Sequence, residues 1–279
     1  MKNIAVVTGA TSGIGLANTE LLLKKGYDVL GVARSLEKAE SLKTHISSLQ
    51  TTGTLKIVMG NLGSIKETRE LIEKIKHLLD KHYDGCLDVL MNIAGIVSSG
   101  LKLTLEGHEL TFQTNHVSVF MLTTELIPYL KKATNPKVLV VSSLSHYRAS
   151  FNPKNIENKK CYNILKAYKR SKLYNVLFVK AFHRKYGIPI FAIDPGLVKT
   201  EIGLKNTSKL EKAIWSWRVS KGTDAYYPAR FMVDIADDDT YIKDSGSYFK
   251  EGKLKPSNPN TYRIENQELL WQYTEKLLK

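Results

Sequence analysis

Short apolar stretches alternate with longer amphipathic stretches along most of the chain. The apolar stretches predict strands at Ile4–Val7, Val29–Ala33, Leu55–Met59, Val89–Asn92, Lys137–Val141 and Ile190–Ile193, with a weaker one near Ser247–Phe249. Apolar residues at three- and four-residue spacing predict helices at Ile14–Lys25, Glu37–Ser48, Ile65–Leu79, Gly107–Leu130, Tyr162–Tyr186 and Glu265–Leu278. Apolar strands separated by helices indicate an α/β protein with a mainly parallel sheet of about seven strands and helices on both faces.

Two polar stretches interrupt the alternation, at 144–161 after the fifth strand and at 201–222 after the sixth. Because ligands of doubly wound sheets bind at the carboxyl ends of the strands, both are expected to be substrate-side loops. The two loops suggest a mainly apolar pocket, and Trp215 and Trp217 in the second stretch could either line it or simply pack the lid region. No Pro- or Gly-rich linker divides the chain, so residues 1–279 are expected to form one doubly wound domain.

Charge is the unusual bulk property, with 41 basic and 27 acidic residues and a formal net charge of +14. Residues 131–186 contain fourteen Lys or Arg and one acid, Glu157. Such a segment could meet an acidic partner, a membrane surface or an anionic ligand, or be a solvated lysine-rich face. Nucleic acid is disfavoured, because no recognition motif accompanies the basic residues.

Several classes of protein are disfavoured by what the sequence lacks. The two cysteines, Cys86 and Cys161, and the seven histidines show no metal-ligand spacing, so no metal is expected. No apolar run is long enough to span a bilayer, and no secretion signal is visible. A cytoplasmic protein is therefore expected, with contact to a membrane surface left open.

A glycine-rich turn joins the first strand to the first helix. Gly9, Gly13 and Gly15 allow the backbone to bend sharply and to approach a pyrophosphate, which the start of the helix attracts with its free N–H groups. The second strand then ends at Arg34, where a cofactor with a free ribose 2′-hydroxyl would usually meet an acid. A guanidinium suits a 2′-phosphate, so NADP(H) is favoured over NAD(H).

Tyr168 and Lys172 are four residues apart on a predicted helix, so their side chains share one face. A free phenol has a pKa of about 10, and a neighbouring ammonium favours the phenolate and brings the pKa towards neutrality. Ser143, at the end of the fifth strand, could hydrogen-bond a carbonyl or hydroxyl beside the phenol. His116 and His146 lie near these motifs and are expected to be structural.

The chain resembles the short-chain dehydrogenase/reductase family of the single-domain Tyr-x-x-x-Lys type. The resemblance rests on the motifs Thr8-Gly9-x-x-x-Gly13-x-Gly15, Asn92-Ile93-Ala94-Gly95, Asn115, Ser143, Tyr168-x-x-x-Lys172 and Pro195-Gly196-Leu197-Val198-Lys199-Thr200. It implies a Rossmann-type fold and cofactor contacts from Gly9, Thr11, Ser12, Gly13, Ile14, Gly15, Arg34, Ser35, Asn61, Leu62, Asn92, Ala94, Gly95, Tyr168, Lys172, Pro195, Gly196, Val198 and Thr200. Within the family, Phe112-Gln113-Thr114-Asn115-His116 and Gly246-Ser247-Tyr248-Phe249 are similar to the retinol dehydrogenase-like group.

The resemblance implies an oxidoreductase that interconverts a small-molecule aldehyde or ketone and an alcohol by hydride transfer. Tyr168 would be the acid/base, Ser143 would orient the oxygen, Lys172 would hold the ribose hydroxyls and tune the phenol, and Asn115 would hold a water. The family often forms homodimers through the helices that here span 107–130 and 162–186. The alternative hypothesis is a catalytically silent NADP(H)-sensing protein that binds an acidic partner through residues 131–186.

Overall fold

The computed structural model describes residues 2–198 and 222–279, and within these residues the strands form one sheet in the order β3-β2-β1-β4-β5-β6-β7-β8. The strands are β1 (Ile4–Val7), β2 (Asp28–Ala33), β3 (Leu55–Met59), β4 (Val89–Asn92), β5 (Lys137–Val141), β6 (Ile190–Asp194), β7 (Tyr248–Lys250) and β8 (Lys253–Lys255). The first seven pair in parallel, and β8 is antiparallel to β7. The predicted α/β class with a mainly parallel sheet is confirmed.

Helices cover both faces of this sheet. They are α1 (Gly13–Lys24), α2 (Leu36–Ser47), α3 (Ile65–His82), α4 (Leu110–Phe112), α5 (Ser118–Glu125), α6 (Ile127–Leu130), α7 (Ile164–Tyr186), α8 (Tyr226–Asp237) and α9 (Ile264–Leu277). One face packs against α3, α5, α7 and α9, and the other packs against α1, α2 and α8. Because β1 to β6 are apolar on both sides, each layer of helices has a buried surface to cover.

The predicted helix over Gly107–Leu130 is three helical pieces. Gly107 has a φ of 81°, and the helix begins only at Leu110. A π-helical turn at Gln113–Val117 separates α4 from α5, and α6 starts anew after Leu126, next to Pro128. Single π-turns inside helices commonly occur at functional sites, and this one contains Asn115.

The C-terminal helix α9 packs across α5 and α7. Trp271 stacks on Phe178 of α7 with ring centroids 5.8 Å apart and meets Phe120 of α5 at 4.7 Å. His116 joins the same contact through Nε2, which lies 3.1 Å from Thr274 Oγ1. The faces of α5 and α7 around these aromatic rings are therefore covered by the chain itself.

The polar stretch 144–161 is partly packed into the core. Ala149 and Ile156 are buried, and the backbone carbonyl of Ile156 accepts a hydrogen bond from the Tyr174 hydroxyl at 2.8 Å. This packing fixes the stretch between the end of β5 and the start of α7. The other predicted substrate-side loop, 201–222, lies outside the described residues except for its last residue.

Candidate active site

The glycine-rich turn lies between β1 and α1 at the carboxyl edge of the sheet. Gly9 and Gly13 have φ values of 70° and 52°, in the left-handed region that favours glycine. A Cβ atom on Gly15 would lie 2.1 Å from the Gly9 carbonyl oxygen, so this position accepts only glycine. The Ser12 side chain makes no capping hydrogen bond to α1, which leaves the first N–H groups of the helix available to an anion. Thr11, Ser12 and Ile14 surround the same helix start.

Thr8 connects this turn to the end of β4. Its buried Oγ1 accepts hydrogen bonds from the backbone N–H groups of Ile93 at 2.9 Å and Ala94 at 3.1 Å, and donates to the Met91 carbonyl at 3.3 Å. The sequence motif contains Thr8 but predicts no role for its side chain. The sequence feature that could have predicted a role is the position of this hydroxyl between an apolar strand and a glycine, because a polar group buried there needs hydrogen-bond partners.

Arg34 and Asn61 lie at the carboxyl ends of the neighbouring strands β2 and β3. Arg34 is exposed, and Ser35 after it is the N-cap residue of α2 without a side-chain capping bond. The Asn61 amide donates to Glu67 Oε2 at 2.8 Å and accepts from the Gly63 N–H at 3.1 Å, while Leu62 is buried. These residues line the edge beside the glycine-rich turn, because β2 and β3 are parallel to β1.

The turn after β4 lies against both the glycine-rich turn and α7. A Cβ atom on Gly9 would lie 3.2 Å from Ala94 Cα, and one on Gly95 would lie 3.4 Å from Lys172 Nζ. Asn92, the last residue of β4, donates through Nδ2 to Thr123 Oγ1 at 3.1 Å. The backbone of residues 94–95 therefore lies between the glycine-rich turn and the Lys172 ammonium and is close to both.

Asn115 lies inside the π-helical turn and is fully buried. Its Oδ1 accepts from the Ile96 N–H at 2.8 Å, and its Nδ2 donates to the Ile96 carbonyl at 2.9 Å and to Ser171 Oγ at 3.0 Å. Ser171 Oγ in turn donates to the Tyr168 carbonyl at 2.8 Å. Asn115 thus ties the turn after β4 to the helix that contains Tyr168 and Lys172.

Lys172 and Tyr168 project from one face of α7. The Lys172 ammonium lies 5.7 Å from the centroid of the Tyr168 ring and donates to the Val141 carbonyl at 3.1 Å. Burial lowers the pKa of Lys172 to about 8, while the carboxylate of Asp194 acts in the opposite direction. The phenol is half-buried, so it lies between the protein interior and the open edge of the sheet.

Ser143 follows β5 directly and is half-buried. Its Oγ accepts from the Ser145 N–H at 3.2 Å and caps the short 3₁₀-helix Leu144–Arg148. The preceding Ser142 donates to the Lys172 carbonyl at 2.8 Å, which fastens the end of β5 to α7. No local pattern in the sequence predicts this contact of Ser142, because its partner is thirty residues away.

The turn after β6 contains Pro195, Gly196 and Val198. Gly196 has a φ of 78°, and its N–H donates to Asp194 Oδ1 at 3.0 Å. The Leu197 carbonyl accepts a hydrogen bond from the Thr223 N–H at 2.7 Å, which attaches the turn to the residues just before α8. Thr200, also predicted to bind the cofactor, lies outside the described residues, as do Trp215 and Trp217.

His146 links the site to the C-terminal part of the chain. Its Nδ1 lies 2.7 Å from the Ser143 carbonyl, so Nδ1–H is the donor, and Nε2 accepts from the Asn258 N–H at 3.1 Å. Burial lowers the pKa of His146 to about 4 and that of His116 to about 3. Both imidazoles are therefore neutral at pH 7 and serve as buried packing and hydrogen-bonding groups.

A sequence profile described as short chain dehydrogenase matches residues 3–211, which include the glycine-rich turn, Asn115, Ser143, Tyr168 and Lys172. The chain belongs to the short chain dehydrogenase family. Membership in this family supports an oxidoreductase that interconverts a carbonyl and an alcohol with a nicotinamide cofactor.

Relatives within the short chain dehydrogenase family include human retinol dehydrogenases. Human retinol dehydrogenase 11 is 31% identical over 219 residues, which cover 77% of this chain and 65% of that protein. Human retinol dehydrogenase 13 is 29% identical over 286 residues, covering 98% of this chain and 83% of that protein. These likenesses confirm the predicted similarity to the retinol dehydrogenase-like group.

A solved short chain dehydrogenase from Burkholderia cenocepacia J2315, in complex with NADP, has the same fold. It superposes with a TM-score of 0.68 at 20% identity and covers 89% of this chain and 95% of its own. Within residues 2–198 and 222–279, no helix of this chain is both long and apolar enough to cross a membrane.

Proposed function

We propose that this chain is an NADP(H)-dependent oxidoreductase that interconverts an apolar aldehyde or ketone and the corresponding alcohol. The observation that supports this most directly is the buried Lys172 ammonium beside the Tyr168 ring, separated from the glycine-rich turn only by the backbone of residues 94–95. An acid/base group next to a dinucleotide-binding turn is what hydride transfer to a carbonyl requires. The names of the retinol dehydrogenases favour an apolar substrate.

The residues around the glycine-rich turn fit a dinucleotide phosphate. Gly9, Gly13 and Gly15 remove side chains where the backbone must approach it closely, and the start of α1 offers N–H donors. Arg34 is exposed at the end of β2, where its guanidinium can form paired hydrogen bonds with a 2′-phosphate. When bound, the nicotinamide would supply or accept the hydride. Pro195, Gly196 and Val198 in the turn after β6 would complete the site.

In the direction of reduction, Tyr168 would donate its phenolic proton to the carbonyl oxygen of the substrate. Lys172 favours the phenolate that this leaves, because its positive charge lies one helical turn away. The Ser143 hydroxyl, half-buried at the end of β5, would donate a hydrogen bond to the same oxygen. Asn115 holds the turn after β4 against α7 and is the group proposed to hold a water for the proton relay.

The alternative of a silent sensor that binds an acidic partner is less well supported. At least eight of the fourteen basic residues in 131–186 contact other groups within the described part of this chain, namely Lys132, Lys137, Lys159, Arg170, Lys172, Lys180, Arg184 and Lys185. Lys137, for example, is buried and pairs with Asp239 at 2.6 Å. Much of the basic segment therefore stabilises the fold, and less of it is left for a partner. We also propose that the oxidoreductase is cytoplasmic.

The proposal is tested with Tyr168→Phe and a matched control, Tyr162→Phe. Tyr162 lies six residues earlier, and its hydroxyl contacts Glu109 Oε1 at 3.2 Å rather than the site. With NADPH and nonanal as an apolar aldehyde, Tyr168→Phe should lower the rate by about 10²-fold or more, the usual contribution of a general acid. Tyr162→Phe should keep most of the rate. Equal rates in the two variants would contradict the assigned mechanism.

The choice of cofactor is tested by fluorescence titration of wild type and Arg34→Ala with NADPH and NADH. Loss of a charge-assisted contact to the 2′-phosphate should weaken NADPH binding by about tenfold or more. NADH lacks this phosphate, so its affinity serves as the internal control and should change little. A wild-type preference for NADH would refute the assignment of NADP(H).

A further inference from the structure

Asp194 is a buried acid at the same edge of the sheet as the proposed active site. It is the last residue of β6 and is 1% exposed. Its Oδ1 accepts from the Gly196 N–H at 3.0 Å, and its Oδ2 accepts from the Tyr248 hydroxyl at 2.8 Å. A carboxylate so deeply buried is costly unless hydrogen bonds or an opposite charge compensate for its lost hydration.

The Lys172 ammonium, on α7, lies at the end of the neighbouring strand β5. Strands β5 and β6 are parallel, with Val141 opposite Ile193, so Asp194 comes one residue after the pair. The Lys172 ammonium donates to the Val141 carbonyl at 3.1 Å, and the Ser142 N–H donates to the Ile193 carbonyl at 2.7 Å. The ammonium and the carboxylate thus lie above adjacent strands, both out of contact with bulk water.

The other titratable groups around this pair are tyrosines and one glutamate. Tyr168 faces Lys172 from its own helix. Tyr248 on β7 and Tyr147 in the 3₁₀-helix after β5 face Asp194, and the pKa of each phenol is raised, first by burial and also by the Asp194 charge. Glu251, after β7, donates its backbone N–H to the Asp194 carbonyl at 3.0 Å. Among the described residues, Asp194 is the charged group that acts on the Lys172 pKa against the effect of burial.

We propose that Asp194 is a positioning residue of the active site, whose buried carboxylate keeps the Lys172 ammonium charged and holds the turn after β6 through Gly196. The inference rests on the proposed function, since it acts on the reaction only through Lys172 and that turn. Without the carboxylate, the buried ammonium would lose its proton closer to neutral pH, and the Tyr168 phenolate would lose its stabilising charge. The ends of β5 and β6 would then no longer be coupled electrostatically.

The test measures the protonation of Lys172 directly in the protein without cofactor. Lysine labelled with ¹³C at Cε is incorporated, the Lys172 signal is assigned with Lys172→Met, and its chemical shift is followed with pH by NMR. Replacing the carboxylate in Asp194→Asn should lower the Lys172 pKa by about one unit or more, as expected when a buried ammonium loses an opposite charge. An unchanged Lys172 pKa in Asp194→Asn would overturn the proposal.

Tyr248→Phe is the matched control. It removes a hydrogen bond from the same carboxylate but leaves the negative charge, so the Lys172 pKa should move much less than in Asp194→Asn. Equal shifts in the two variants would indicate a loss of packing rather than of charge and would overturn the proposal. Asp194→Ser is a second neutral variant, with a hydroxyl that can still accept from Gly196, in case Asp194→Asn does not fold.

The same variants are then compared in the reduction of nonanal by NADPH as a function of pH. The fall in kcat at alkaline pH should move to lower pH in Asp194→Asn by the shift that NMR measures, and should stay in place in Tyr248→Phe. An NMR shift without any reductase activity in the wild type would refute the proposed function but support the role of Asp194 in charging Lys172. Wild-type reductase activity together with an unchanged Lys172 pKa in Asp194→Asn would support the proposed function but overturn the role of Asp194.

Discussion

Thr8 offers a direct test of how the glycine-rich turn is held in place. Thr8→Val keeps the volume of the side chain but removes the Oγ1 that accepts from the Ile93 and Ala94 N–H groups and donates to the Met91 carbonyl. The residue is 1% exposed, so water cannot take the place of the hydroxyl. The turn after β4 would lose its attachment to the end of β1.

The loss of stability in Thr8→Val comes from the N–H groups of Ile93 and Ala94, which lose their hydrogen-bond acceptor. A buried N–H left without a partner costs about 1–3 kcal/mol, and Ile93 is 8% exposed, so its N–H should bear most of that penalty. The Ala94 N–H is half-buried, so water can partly replace its partner and the penalty is smaller. We expect Thr8→Val to lower the free energy of unfolding by about 3 kcal/mol.

The comparison variant is Thr8→Ser, which keeps the hydroxyl and loses one methyl group. That change should cost about 1 kcal/mol, which leaves a difference of about 2 kcal/mol between the two variants. With an m-value of about 3 kcal/mol/M, the urea midpoints measured by tryptophan fluorescence should differ by roughly 0.7 M. NADPH binding should weaken in Thr8→Val and persist in Thr8→Ser. Midpoints that agree for the two variants would refute the assigned role of the hydroxyl.

Two further predictions concern the glycine-rich turn and the buried histidines. Gly15→Ala places a Cβ 2.1 Å from the Gly9 carbonyl oxygen, so NADPH affinity measured by fluorescence should fall by about tenfold or more, and wild-type affinity would contradict the described geometry. His116 and His146 have pKa values lowered to about 3 and about 4 by burial, so their contribution to stability is complete above the unfolded value of 6.5 and is lost as pH falls towards 4. Between pH 7 and pH 5 the two together should cost roughly 4 kcal/mol, seen as a lower urea midpoint, and His116→Phe should remove about half of this dependence. A midpoint in His116→Phe that falls as steeply as in wild type would contradict this account.

The strands and the pairing of Tyr168 with Lys172 could be predicted because their signals are local. Continuous apolar runs identify buried parallel strands, and a spacing of four places two side chains on one helical face. Strand β8 had no such signal: its three residues, Lys253–Lys255, are all exposed and only one is apolar. Helix α8 was missed as well, although its Pro228 lies in the first turn, where proline is tolerated.

The missed parts of the site depend on contacts between residues distant in the chain. Thr8 and Ala94 are 86 positions apart, and Asp194 and Tyr248 are 54 apart. These pairs meet only because β4 lies beside β1 and β7 lies beside β6. The sequence predicts that such strands share an edge, but the side chains that meet there depend on strand order and register.

The aromatic contact of Trp271 with Phe120 and Phe178 bears on how copies of the chain could associate. Family resemblance predicts a homodimer through residues 107–130 and 162–186, and this prediction stays open. Yet the apolar patch around Phe120 and Phe178 on these helices is already covered by α9 of the same chain. In this respect α9 serves as an internal substitute for a neighbouring subunit. A dimer formed through these two helices would have to use their remaining faces or first displace α9, at the cost of exposing an indole and two phenyl rings to water.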